Sequence, residues 1–118
     1  MKDEIENLDT DLVKWEKMEG LEKVYIKILN EDREIGAVTR LLKLEPGATL
    51  PKLKHEICEE IYVLNGVLNR QGQKLVHIKD SYISGIPWME HGPFESPFGC
   101  ILLEFRYYGF SKKEGKRT

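Results

Sequence analysis

Residues 46–66 read PGATLPKLKHEICEEIYVLNG, and the placing of polar side chains in this stretch decides the fold. His55 is followed four residues on by Glu59, and six residues separate Glu59 from Gly66. Side chains alternate faces along a strand. With His55 turned inward, Leu53 and Ile57 turn inward too, while Lys52, Lys54 and Glu56 face solvent. Charge and parity then agree. A turn near Cys58 would bring Glu59 inward beside His55 and leave Glu60 on the surface. A second signal lies downstream in Pro87, His91 and Gly92-Pro93-Phe94, with His91 in a loop or opening a strand of the same sheet.

The flanking sequence is nearly all β. Apolar residues alternate in VYIKIL, with Val24, Ile26 and Ile28 on one face and Tyr25, Lys27 and Leu29 on the other. The stretch GAVTRLLKL follows and ends at the turn Glu45-Pro46-Gly47-Ala48. Further strands are expected over 52–57, 60–64, 67–69, 74–78, 81–84 and 100–107. Turns are expected at Asn65-Gly66, Gln71-Gly72-Gln73, Lys79-Asp80 and Gly85-Ile86-Pro87. Many short strands with Gly and Pro punctuation predict an all-β sandwich or barrel. Gly47, Gly66 and Gly85 are read as turn residues.

The 118 residues suit one domain, and 41% hydrophobic content supplies one core. Residues 1–11 are read as a flexible N-terminal segment, 12–110 as the folded domain and 111–118 as a disordered tail. With 18 basic and 20 acidic residues, the formal charge of −2 argues against a nucleic-acid partner. No apolar run reaches the length of a membrane span, and the acidic start MKDEIENLDTD is no secretory signal. Two cysteines, Cys58 and Cys100, make no disulfide framework, and a cytoplasmic location is the expectation.

Two imidazoles and a carboxylate carried on strands predict a metal cage of His55, Glu59 and His91. Such ligands suit Fe, Zn, Ni or Mn. Three protein ligands leave positions open for water or substrate. Leu53, Val63, Trp88 and Phe105 would supply apolar pocket walls. Arg40 shares parity with Leu42 and Leu44, so an inward face would let it hold an acidic substrate group. The plainer reading is an exposed Arg40 on the outer sheet. The plainer reading of His55 is a surface strand residue, and of His91 a turn residue. His77 in KLVHIK is an ordinary strand residue, Cys58 an outward thiol and Cys100 a core residue.

These residues carry a family resemblance. The chain resembles the cupin superfamily, whose first motif is a glycine, a His-any-His pair, a glutamate and a second glycine. Gly47, His55, Glu59 and Gly66 match that pattern, and Leu53 stands where the first histidine belongs. Pro87 and His91 match the end of the second motif, whose internal glycine is missing here. The segments GAVTRLLKLEPGATLP, EEIYVLNG and HGPFESPFGCILLEF are similar to the branch holding the cupin domain of the anti-sigma factor ChrR and the acetylacetone-cleaving dioxygenases. The resemblance implies a double-stranded β-helix, or jelly-roll barrel, and a homodimer. It also implies a divalent metal held by imidazoles with a glutamate.

Three functions follow as expectations. One is a small non-haem metal-dependent dioxygenase acting on a chelating substrate. Another is a non-catalytic module that binds or senses a small ligand, with a structural metal or none. The third is a metal-free barrel in which His55 and His91 only hydrogen-bond. Exposed sheet edges favour a homodimer, with Leu12, Val13 and Trp15 as contact candidates.

Overall fold

The computed structural model describes residues 1–52 and 56–108. Among the described residues ten strands follow one 3₁₀ turn at Thr10–Leu12. They are β1 (Glu16–Lys17), β2 (Val24–Asp32), β3 (Ala37–Leu44), β4 (Ala48–Leu50) and β5 (Ile57–Gly66), then β6 (Leu68–Arg70), β7 (Leu75–His77), β8 (Tyr82–Gly85), β9 (Phe94–Ser96) and β10 (Cys100–Tyr108). One sheet runs β1-β2-β3-β10-β5-β8 and the other β4-β9-β6-β7, with antiparallel pairing throughout. The architecture is the expected all-β jelly roll.

The sheets differ in build. β2, β3, β5 and β10 run eight to ten residues, whereas every strand of the smaller sheet has three. Apolar side chains on the facing surfaces make the core. Leu42, Leu44, Val63 and Leu102 from the long strands pack with Leu68 and Phe94 from the short ones. Each fully buried Leu contributes about 1.5–3 kcal/mol through its removal from water.

Strand parity does most of the sorting. In β10, Cys100, Leu102 and Glu104 are buried, Ile101 and Leu103 between them are half-buried, and Phe105 is exposed. In β5, Glu59, Ile61 and Val63 are buried, while Leu64 is exposed. A register shift between Ile101 and Leu102 lies just beyond the pair of Gly66 with Cys100. Gly66 has φ +84, and a Cβ there would collide with the Gly99 carbonyl and the Cys100 backbone. Only glycine suits that position.

Several expectations are corrected. Cys58 lies within β5, opposite Tyr107, so no turn separates it from Glu59. The long partner strand β10 holds this segment extended. Of the strand expected over 52–57, only Ile57 is in a strand, Lys52 and Glu56 are not, and 53–55 lie outside the described residues. The strand β9 was not expected from the sequence, because PFES is short and bracketed by prolines. A register shift between Ile28 and Asn30 in β2 breaks the predicted alternation and leaves Ile28 exposed. Lys27 is buried because the chain before β1 covers it: its Nζ donates to the Thr10 carbonyl at 2.7 Å and lies 4.6 Å from the Trp15 ring. The tail expected over 111–118 lies outside the described residues.

Candidate functional site

A cavity of about 290 Å³ opens between the sheets. Its walls are apolar: Leu42 and Ile61 come from the large sheet, Leu50 and Phe94 from the small one, and Met18 and Leu21 from the segment after β1. One end is charged. Strand pairing assembles it, because Glu104 of β10 lies opposite Arg40 of β3 and Arg106 of β10 lies opposite Glu59 of β5. Alternation turns all four side chains into the same cavity.

The four groups form a row. Arg40 Nε donates to Glu104 Oε1. Glu104 in turn shares a hydrogen bond with Glu59. Arg106 Nε lies 3.4 Å from Glu59 Oε2. Burial is the main force on the Glu59 carboxyl. With the hydrogen bond to Glu104 and that group's charge, it pushes Glu59 up to about 8, against the opposing pull of Arg106 and Arg40. Near neutral pH Glu59 therefore holds its proton.

His91 comes from the connection between β8 and β9. This is the loop, one of the two places the sequence left open for it. Its Nε2 lies 3.0 Å from the Ile86 carbonyl, and its Nδ1 faces Glu59 Oε1 at 3.8 Å, beyond hydrogen-bond range. A carbonyl oxygen only accepts, so Nε2 is the donor in this contact. Gly85, opposite Glu59, gives the ring room: a Cβ on Gly85 would overlap the imidazole. Gly85 has no left-handed φ and ends β8, so its role is space rather than the turn expected of it. Glu59 and His91 also line a second cavity of about 70 Å³, bounded further by Arg70 and Ser84. That space holds about two waters.

The expected site residues are distributed as follows. Glu59, His91 and Arg40 share the main cavity. The Arg40 side chain is only 11% exposed, so the exposed-surface reading of it is corrected. Val63 is wholly buried in the core. Phe105 points to the outer face of β10 by parity with Glu104, and Trp88 is 56% exposed in the β8–β9 connection; neither lines the cavity. His55 and Leu53 lie outside the described residues. Glu104 and Arg106 escaped the sequence reading. Their signal was a charge of each sign inside CILLEFRYY, two apart and therefore on one face.

The metal expectation can be tested on donor chemistry. Among the described residues no group of three His, Cys, Asp or Glu side chains is placed to hold an ion. Glu104 is taken by Arg40, and Arg106 approaches Glu59. The described residues do not by themselves fit a divalent cation. Glu59 and His91 stand together, and the third expected ligand, His55, is outside the described residues.

The fold is shared with solved structures. An RmlC-like cupin from Shewanella frigidimarina superposes with TM-score 0.71 at 18% identity, covering 92% of this chain and 96% of its own. An acetylacetone dioxygenase from Acinetobacter johnsonii gives 0.73 at 15% identity, over 97% and 81%. The Rhodobacter sphaeroides complex of SigE with the anti-sigma ChrR gives 0.65 at 23% identity, over 82% of this chain and 50% of that one. At these identities the likeness concerns fold alone. No curated protein matches the sequence. The family model of the ChrR cupin-like domain matches residues 4–107, nearly the whole described fold, and the chain belongs to that family.

Proposed function

We propose that this chain is a small-molecule-binding cupin whose ligand sits between the two sheets, against the charged row of Arg40, Glu104, Glu59 and Arg106. The observation that carries the reading is the main cavity itself, with apolar walls and one polar end. Its volume of about 290 Å³ lies at the lower edge of the range for ligand pockets, roughly 300–1,000 Å³. A thermal-shift screen of small molecules tests this reading. Wild type should gain stability with a subset of compounds, and Leu50→Trp, which fills the cavity from the small sheet, should lose that gain. A Leu50→Trp protein that responds like wild type would refute it.

The 3.8 Å approach of His91 to Glu59 favours a second reading, a metal-dependent dioxygenase with His55, Glu59 and His91 as ligands and iron, zinc, nickel or manganese as the ion. Elemental analysis of untagged protein decides between them. Stoichiometric metal that falls in Glu59→Gln and His91→Ala supports the second reading, and metal-free protein that still binds ligand supports the first.

Two further parts belong to the proposal. The free thiols Cys58 and Cys100 suit a reducing, cytoplasmic setting. A homodimer would cover exposed sheet edges, with the exposed Leu12 as a contact candidate. Light scattering at low salt would read the mass.

A further inference from the structure

Resting on the ligand-binding reading above, we infer that the ligand carries a carboxylate, seated on Arg40 and Arg106, with an apolar body lying toward Leu50 and Phe94.

The depth of the charges points to an anion. Along the row the carboxylates lie deeper than the guanidiniums. Glu104 and Glu59 are 4% and 8% exposed at their side chains, whereas Arg40 and Arg106 are 11% and 21% exposed. The guanidiniums are thus the more accessible members of the row. Arg40 is already held by Glu104 through Nε, and Arg106 Nε lies 3.4 Å from Glu59 Oε2. That fixes the fork before a ligand arrives and lowers the entropy lost on binding.

Donor arithmetic gives the same answer. A guanidinium has five N–H donors and a carboxylate accepts at most two of them in a forked pair. Arg40 has one carboxylate partner among the described residues, Glu104. A second carboxylate would use donors that Glu104 cannot. The apolar walls keep the local dielectric low, which strengthens such a pairing relative to water. Glu19, at the rim, adds a negative charge outside this row.

The test is calorimetric titration of the full chain with acetate, butyrate, hexanoate and benzoate, each beside its uncharged primary amide. At least one acid should bind, with its amide ten-fold weaker or more. Arg40→Lys keeps a cation beside Glu104 but loses the fork, and it should weaken the acid at least ten-fold while leaving the amide unchanged. Leu50→Trp, which leaves all four charged residues in place, should remove binding of the acid while the melting curve stays cooperative. If an amide binds as tightly as its acid, or Arg40→Lys binds the acid like wild type, the carboxylate assignment is overturned while the ligand-binding reading stands. If no acid binds but other compounds in the thermal-shift screen do, the carboxylate assignment alone is overturned. If nothing binds in either experiment, both fall.

Discussion

The imidazole of His91 occupies the volume that a Cβ on Gly85 would need. A residue from the β8–β9 connection therefore keeps its place only because β8 ends without a side chain. Gly85→Ala should destabilise the protein by about 1–3 kcal/mol, the usual cost of forcing extra volume into a packed site. For a domain of this size, that corresponds to several degrees in the melting temperature. Calorimetric melts of Gly85→Ala, His91→Ala and the double variant check it. The double variant should lose less than the sum of the singles, because removing the ring removes the clash.

Glu59 sets a direction for pH. Its folded-state value of about 8 lies above the ordinary carboxyl value of 4.5, so the folded state binds the proton more tightly than the unfolded chain. Its contribution is full below about 4.5, falls as pH rises from there to about 8, and is gone above that. Melting temperature should therefore decline between pH 5.5 and 8. Glu59→Gln, which fixes the neutral form, should flatten that slope. A wild-type curve that rises over this window would contradict the assignment.

The pair Arg40–Glu104 is buried, and breaking it from one side strands a charge. Arg40→Met alone should cost about 3–5 kcal/mol. Arg40→Met with Glu104→Leu should recover most of that loss, since neither partner then remains charged in the core. Urea denaturation of the two singles and the double measures it. A double variant less stable than either single would show that the pair stabilises the fold beyond the cost of a stranded charge.

Trp88 has φ +69, a left-handed conformation that costs a bulky residue about 1–3 kcal/mol, and its side chain is 56% exposed. Trp88→Asn should leave the melting temperature unchanged or raise it, because Asn tolerates this backbone. A fall of several degrees would mean that the indole is covered in solution, as a second subunit would do.

The sequence carried the strand layout well and the site only in part. Alternation in VYIKIL and GAVTRLLKL, with turns such as Glu45-Pro46-Gly47-Ala48, survives as β2, β3 and the tight turn where Ala48 N–H donates to the Glu45 carbonyl at 2.9 Å. Those signals are local. The register that sets Glu104 against Arg40 and Arg106 against Glu59 spans more than forty positions of chain and leaves no local trace. For this reason the sequence left Arg40 open between an inward and a surface place, and Glu104 and Arg106 were passed over. Phe105 was drawn into the pocket by its hydrophobicity, although a residue beside an inward Glu104 must face the other way. Gly85 was read as a turn because its function, making space for a ring six residues on, depends on a contact that composition cannot encode.

The unequal strand lengths separate two kinds of evolutionary freedom. Arg40, Glu59, Glu104 and Arg106 stand on long strands locked by neighbours on both sides, so an exchange there disturbs a whole ladder. Leu50 and Phe94, across the cavity, stand on three-residue strands at the other wall. Descendants of this chain can reshape what fits by altering that wall, while the electrostatic lock on the opposite side stays fixed.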